Sequence, residues 1–102
     1  MRVTGGALRG RRLRTVPGQS VRPTSDRVRE ALFQILAPRL AGARVADLFA
    51  GSGALGIEAL SRGAPTAVFI DQNKPAIAAI QRNITTLGLE DRARIIRWDI
   101  RN

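Results

Sequence analysis

The sequence predicts an α/β domain in which a basic β-hairpin and a helix precede a partial parallel sheet of order β-α-β-α-β. From Val45 onward, short apolar runs alternate with stretches of helical periodicity, which is typical of parallel strands joined by helices. Residues 1–44 carry ten arginines against two acids, whereas residues 45–102 carry seven basic against six acidic residues. We therefore expect a hairpin extension over residues 1–20 and a sheet domain over residues 21–102.

The first element is the hairpin. Its strands are predicted at Arg2–Gly5 and Arg11–Val16, and Pro17 and Gly18 mark the turn that follows. Two strands alone are only marginally stable, so the hairpin is expected to pack on the rest of the domain.

A helix is predicted next, over Ser25–Leu36, with Ser25 as the capping residue and Pro38 ending the helix. Apolar residues recur at helical spacing and predict the buried face: Val28, Ala31, Leu32, Ile35 and Leu36. The polar residues expected to lie off this face are Arg27, Arg29, Glu30 and Gln34.

The remaining chain predicts the sheet. The strands are expected at Val45–Phe49, Thr66–Ile70 and Ala93–Trp98, and the helices between them at Ala54–Arg62 and from Asn73 to Leu87. The first strand would lie at an open edge, where a fourth strand normally pairs, so the chain is expected to be the N-terminal part of a longer protein.

Composition excludes several kinds of site. The chain has no His and no Cys, which rules out disulfides, thiol chemistry, imidazole acid–base catalysis and the soft metal sites. No apolar run approaches the ~20 residues needed to span a bilayer, and the N-terminus lacks a signal-peptide core. We therefore expect a cytoplasmic protein with no metal and no membrane partner.

The arginine-rich N-terminus predicts an anion-binding surface. Arg9, Arg11, Arg12, Arg14 and Arg22 lie in a stretch without a single acid, and planar guanidinium groups suit phosphate. The alternative is a solvated tail in a protein that uses arginine generally, since the chain has 16 arginines and one lysine. A general preference does not explain the concentration at one end, so nucleic acid is favoured.

A glycine motif predicts a ligand-binding loop. Residues 51–56, GSGALG, fit G-x-G-x-x-G between a predicted strand and a predicted helix. Backbone amides and the helix N-terminus would then face a negative or polar ligand group. The alternative is a glycine turn that serves only tight packing of the helix on the strand.

Three carboxylates lie at the carboxyl ends of the three predicted strands. Asp71 fits as a ribose acceptor for either a nicotinamide dinucleotide or S-adenosylmethionine. Asp47, four residues before Gly51, would repel a pyrophosphate and attract a sulfonium and an ammonium group, which favours S-adenosylmethionine. Asp99, beside Trp98, is placed to accept from an adenine amine. Each also has a structural alternative: a helix cap for Asp71, a tie to loop amides for Asp47 and an ordinary loop position for Asp99.

Three stretches together resemble a known family. They are GGALRGRRL at residues 5–13, RPTSDRVREALFQIL at residues 22–36 and VADLFAGSGALGIEALSRGA at residues 45–64. The chain resembles, over essentially its whole length, the bacterial small-subunit ribosomal RNA guanine-N2 methyltransferases of the RsmD type. The resemblance implies a Rossmann-like class I methyltransferase that transfers a methyl group from S-adenosylmethionine to a guanine N2 in 16S ribosomal RNA or in a small-subunit assembly intermediate.

The resemblance also implies site residues. For the cofactor they are Asp47, Phe49, Ala50, Gly51, Ser52, Gly53, Asp71, Gln72, Trp98 and Asp99, and for RNA they are Arg9, Arg11, Arg12 and Arg14. Arg22 and Arg27 belong to a second family signature and are assigned to RNA, with the cofactor as the alternative. The family's catalytic Asp/Asn-Pro-Pro-Tyr motif is absent from this sequence. No catalytic residue is therefore assigned, and the chain is expected to hold the cofactor without turning over. The alternatives are a non-catalytic RNA-binding module on the same scaffold and a nicotinamide-dependent enzyme, which Asp47 disfavours.

Overall fold

Three parallel strands and their connecting helices form the centre of the fold. The computed structural model describes residues 1–16, 23–48 and 50–99, so the predictions made for Pro17, Gly18, Arg22, Phe49 and the Ser25 hydroxyl lie outside the described residues and side chains. The elements in chain order are helix α1 (Pro23–Leu40), strand β1 (Arg44–Leu48), helix α2 (Ala54–Ser61), strand β2 (Thr66–Asp71), helix α3 (Lys74–Thr86) and strand β3 (Ala93–Arg97), with a single 3-10 turn at Glu90–Arg92 before β3.

The sheet has the order β1-β2-β3, and both strand pairs are parallel, which confirms the predicted β-α-β-α-β arrangement. Both helical connections pack on one face, where Phe69 of β2, Ile57 of α2 and Ile80 of α3 are fully buried. On the other face, Val68 and Ile70 remain half-buried. Within the described residues β1 pairs only with β2, so it is the open edge that was expected.

The buried face of α1 differs from the prediction. Val28 and Ile35 are 66% and 76% exposed, and Leu32 is also exposed, whereas Arg29 and Phe33 are each only 4% exposed. Arg29, which was expected off the buried face, donates from Nε to Oε1 of Glu58 at 3.0 Å. The helix therefore buries Arg29, because the buried carboxylate of Glu58 on α2 requires a cationic partner, while Arg27 and Gln34 stay exposed as predicted.

The bounds of α1 were also predicted wrongly. The helix begins at Pro23 rather than Ser25, and proline suits a first helical position because the amide it lacks would have no partner there. Pro38 does not end the helix, which continues to Leu40. Leu40 is buried with Phe33 and Ala59, and this packing offsets the hydrogen bond lost at Pro38.

Residues 1–16, called here the basic segment, do not form the two full strands of the predicted hairpin. Antiparallel pairing is present but limited to one isolated bridge between Arg2 and Arg12. The intervening backbone bonds to α2 instead: the amides of Thr4 and Gly5 donate to the two oxygens of Glu58, each at 2.9 Å. The segment packs on the domain as expected, with Val3 and Leu13 in the main core.

Candidate functional site

The glycine loop connects β1 to α2. Gly51 and Gly53 have φ values of 59° and 83°, a left-handed conformation that favours glycine. A Cβ at Gly51 would meet nothing within 4 Å, whereas one at Gly56 would lie 2.3 Å from Cε1 of Phe69. The third glycine of the motif therefore serves the packing of α2 on β2, while the first leaves open space beside the loop.

Asp71 holds this loop in place. Its Oδ2 accepts from the amide of Gly51 and its Oδ1 from the amide of Asn73, each at 2.9 Å. The N-cap residue of α3 is Asn73, so Asp71 bonds to the residue before the helix and does not cap the helix, which was its alternative reading. A carboxylate has about four acceptor positions, so these two bonds leave capacity for a ligand hydroxyl.

Asp47 lies at the end of the neighbouring strand and is buried. Its Oδ2 accepts from the amide of Gly56 at 3.0 Å, which is the tie to a backbone amide considered as its alternative role. Burial raises the pKa of Asp47 to about 6; the Gly56 hydrogen bond opposes the shift and the charge of Asp71 adds to it. In an environment that disfavours its charge, this carboxylate is suited to a cationic partner.

No such partner is present in the part of the chain that the structure describes. There, no arginine or lysine nitrogen lies within 4.0 Å of Asp47 or Asp71, and the ion pairs involve Asp26 and Glu58 instead. The chain has a formal net charge of +9, so cations are abundant elsewhere. The two carboxylates therefore create a locally negative position beside the glycine loop.

A cleft of about 520 Å³ lies at the ends of β2 and β3 and is lined by Gln72, Asn73, Arg97, Trp98 and Asp99. It brings together the predicted residues Gln72, Trp98 and Asp99. The amide of Trp98 donates to the carbonyl of Asp71 at 2.9 Å, which joins this cleft to the glycine loop. The indole is 51% exposed and so presents an accessible ring. Sequence reasoning missed Asn73 and Arg97 as lining residues.

Sequence reasoning also missed Asn83. Its Nδ2 donates to the carbonyl of Ser52 at 2.9 Å and to that of Arg14 at 3.0 Å, and its Oδ1 accepts from the Arg14 amide at 2.7 Å. The side chain is buried on the apolar face of α3, beside Ile80 and Ile84. An amide among apolar residues at helical spacing is the signal that could have found it.

The basic segment presents most of the predicted RNA-binding arginines. Arg9, Arg11, Arg12 and Arg14 are exposed, as is Arg27 on α1. Arg11 differs from the others because its Nη2 donates to the carbonyl of Thr86 near the end of α3, at 3.4 Å.

Glu58 anchors the basic segment and was also missed. Besides its bonds to Thr4 and Gly5, its carboxylate accepts from Arg29 and, at 2.8 Å, from Nε of Arg62. Burial alone would raise the pKa of Glu58, but the hydrogen bonds from Arg62, the Thr4 amide and Arg29 outweigh it and lower the pKa. The carboxylate is thus fully engaged in structure, and α2 joins the glycine loop at one end to the basic segment at the other.

Residues 1–16, 23–48 and 50–99 contain neither a cluster of metal-ligating side chains nor a helix that could span a membrane. No group of three or more acidic side chains there converges on a position suited to a metal ion. No helix of these ranges combines the length and the apolar composition that a membrane span requires.

Comparison with known proteins identifies close relatives. The profile of the family described as Conserved hypothetical protein 95 matches residues 1–102. Protein YlbH of Bacillus subtilis (strain 168) is 48% identical over 99 residues, which are 97% of this chain and 54% of that protein. "Ribosomal RNA small subunit methyltransferase D" of Escherichia coli (strain K12) is 47% identical over 87 residues, or 85% of this chain and 44% of that protein. The chain thus spans about half the length of the curated relatives it matches.

Solved structures show the same fold. One from Escherichia coli matches with a TM-score of 0.85 and 45% identity, covering 97% of this chain and 54% of that one. The C-terminal domain of precorrin-6Y C5,15-methyltransferase from Rhodobacter capsulatus matches with a TM-score of 0.70 and 30% identity, covering 84% of this chain and 45% of that one. These matches confirm the expected partial Rossmann-like fold.

Proposed function

The chain belongs to the family described as Conserved hypothetical protein 95, and from this membership we propose that it is the cofactor-binding part of an S-adenosylmethionine-dependent RNA methyltransferase. The substrate proposed is small-subunit (16S) ribosomal RNA, free or in an assembly intermediate, and the acceptor is the exocyclic N2 of a guanine. Support comes from relatives named ribosomal RNA small subunit methyltransferase D, which match 85% of the chain at 47% identity. A protein with this substrate is expected to act in the cytoplasm.

One observation carries the choice of cofactor: Asp47 and Asp71 flank the glycine loop without a cationic side chain within 4.0 Å, among the residues described. A pyrophosphate placed beside these carboxylates would be repelled, whereas a sulfonium and an ammonium group would be attracted. This argument supports S-adenosylmethionine over a nicotinamide dinucleotide.

Different residues of the site are proposed to bind different parts of the cofactor. Asp47 and the loop at residues 49–53 would bind the methionine end, and Asp71 would accept from the ribose hydroxyls. Trp98, with Gln72 and Asp99 in the same cleft, would enclose the adenine. When bound, the cofactor supplies an electrophilic methyl group, and these residues orient it.

The basic segment is proposed to bind the RNA. Its exposed arginines, Arg9, Arg11, Arg12 and Arg14, would contact phosphates, as would the exposed Arg27 of α1. Arg22, which lies outside the described residues, is proposed as a further RNA contact from the sequence alone. The lone pair of the acceptor amine is delocalised into the guanine ring, so methyl transfer requires hydrogen-bond acceptors for the amine hydrogens. No residue of this chain is assigned to that role. The chain is therefore proposed to bind cofactor and RNA rather than to complete the transfer.

The cofactor assignment can be tested by calorimetric titration of the intact protein with S-adenosylmethionine and, separately, with NAD. Asp47→Asn removes the charge, and its side-chain oxygen can still accept from the Gly56 amide. We expect Asp47→Asn to weaken S-adenosylmethionine binding by about tenfold or more, because a charge interaction of about 1.4 kcal/mol corresponds to that factor.

The matched control is Asp91→Asn, which removes an exposed carboxylate in the turn before β3. It should leave the affinity unchanged. Equal affinity for NAD, or an unaltered affinity in Asp47→Asn, would overturn the cofactor assignment. RNA binding that is steeply salt-dependent, in a protein without affinity for S-adenosylmethionine, would instead indicate a non-catalytic RNA-binding module.

A further inference from the structure

Two arginines of the basic segment face each other at its only backbone bridge within the described residues. Arg2 and Arg12 are the bridge partners, and the flanking hydrogen bonds run from Val3 N to Arg11 O at 2.9 Å and from Leu13 N to Met1 O at 3.0 Å. This pattern makes Arg2 and Arg12 a non-hydrogen-bonded pair, the geometry in which opposite side chains lie closest and on the same side.

A third arginine joins them. Arg2, Arg12 and Arg14 line one surface cleft of about 560 Å³, together with Met1, Leu13 and Thr15. Successive side chains of an extended segment alternate between its two sides, so Arg12 and Arg14 share a side, whereas Arg11 reaches the carbonyl of Thr86. The cleft is therefore lined by a cluster of three cationic side chains.

This cluster has no counter-charge among the residues described. The ion pairs there are made by Arg29 and Arg62, and no carboxylate oxygen lies within 4.0 Å of the guanidinium groups of Arg2, Arg12 and Arg14. Like charges directly opposite each other destabilise a strand pair. An anion between the two guanidinium groups would convert this repulsion into two attractive interactions.

The backbone that carries the cluster is held firmly. The carbonyl of Arg2 accepts from Nη2 of Arg29, and both backbone groups of Arg14 are bonded to the buried Asn83. Val3 and Leu13, which alternate with the arginines, are buried in the core. The backbone positions of the arginines are thus fixed next to one another before any ligand arrives, which reduces the entropy lost on binding.

The cleft also adjoins the glycine loop. Met1 lines the cleft, and its Sδ accepts from Oγ of Ser52 at 3.6 Å. From this placement and the uncompensated charge, we propose that Arg2, Arg12 and Arg14 form a clamp for one backbone phosphate of the RNA, beside the proposed cofactor site. The identity of the ligand rests on the proposed function, whereas the clamp itself rests on the paired arginines.

The clamp can be tested by measuring the affinity of the intact protein for a mixed-sequence single-stranded RNA oligonucleotide at several salt concentrations. Arg2→Gln and Arg12→Gln should each lower the affinity about tenfold and reduce the slope of log K against log salt by about one. Arg94→Gln is the matched control, because Arg94 is an exposed arginine near the amino end of β3. It should change neither quantity.

Thermal unfolding of the free protein supplies a second readout. Removing one of two opposed like charges relieves repulsion, so Arg2→Gln should raise the Tm while it weakens RNA binding. Added inorganic phosphate should raise the Tm of the wild-type protein more than that of the variant. An arginine that served only the fold would lower the Tm when replaced.

The clamp would be overturned if Arg2→Gln left the RNA affinity and the salt slope at their wild-type values, or if it lowered the Tm. Titration of the wild-type protein with S-adenosylmethionine separates the two proposals. Failure to bind that cofactor would refute the proposed function, while a salt slope that depends on Arg2 and Arg12 would still support the clamp.

Discussion

Asp47 shows how a single side chain can be conspicuous in the sequence and still have more than one role. Its carboxylate bonds to the amide of Gly56, so part of its work is structural. Burial beside Asp71 nevertheless leaves its charge without a cation within 4.0 Å among the described residues. If Asp47 served only as a hydrogen-bond acceptor, an uncharged amide could replace it. The Asp47→Asn variant therefore separates the role of the charge from the structural role.

The stability of the protein should depend on pH through Asp47. Its pKa is raised from 3.8 to about 6, so the folded state binds the proton more tightly, and this contribution to stability is lost as the pH rises from about 4 through 6. The loss amounts to about 3 kcal/mol, from 1.36 kcal/mol per pKa unit. In urea unfolding, the free energy of unfolding of Asp47→Asn minus that of the wild-type protein should therefore increase by about this amount between pH 4 and pH 7.

Glu58 has a lowered pKa, so the stability it contributes is instead lost on acidification. Both proteins carry Glu58, and its effect cancels in the difference between them. A difference in unfolding free energy that stayed constant from pH 4 to pH 7 would contradict the burial of an ionisable Asp47.

Among the elements, α2 connects the two candidate sites. Its amino end follows the glycine loop, and its last turns carry Glu58 and Ser61. The side-chain oxygens of these two residues accept hydrogen bonds from the backbone amides of Thr4, Gly5 and Leu8. Gly56 allows the helix to lie directly on the ring of Phe69. The close approach of α2 to β2 is thus part of what positions both sites.

We expect Gly56→Ala to destabilise the protein by about 1–3 kcal/mol, the usual cost of overpacking a core. Its Cβ would lie 2.3 Å from Phe69 Cε1, so the helix or the ring must shift. Urea unfolding measures the effect.

The matched test adds Phe69→Leu, which removes the ring. If the clash is the cause, the double variant should be more stable than the sum of the two single effects predicts. Additive effects would show that Gly56 acts through backbone conformation instead.

At the level of the complete fold, Asn83 joins parts of the chain that are far apart in sequence. One buried amide bonds to Ser52 in the glycine loop and to both backbone groups of Arg14 in the basic segment. The glycine loop and the basic segment therefore share one support on α3.

Asn83→Ala should lower the free energy of unfolding by about 3 kcal/mol, at about 1 kcal/mol for each of three hydrogen bonds. Hydrogen exchange should quicken at the amides of Arg14 and Gly53 together, while amides within β3 keep their protection. Faster exchange at Arg14 alone would show that the loop does not depend on this contact.

The predictions that the structure confirms rest on residues close together in the sequence, whereas the wrong ones depend on contacts between distant residues. The strands, α2, α3 and the glycine loop follow from neighbouring residues, and the structure places each within two residues of its predicted bounds. The buried face of α1 was predicted wrongly because the partner of Arg29 is Glu58, 29 residues away. The hairpin is shorter than predicted because α2 receives backbone hydrogen bonds that a longer ladder would have used.

The order of strands and helices, the glycines of the loop and the carboxylates at the strand ends could all be read from the amino-acid sequence, since periodicity and covalent spacing are local properties. Only the tertiary structure decided that Arg29 is neutralised by Glu58 and that Arg2 and Arg12 lie opposite each other. It also decided that the loop and the basic segment share Asn83. The reason is physical: the state of a buried charge or amide depends on the groups it meets in space, and those groups come from distant positions in the chain.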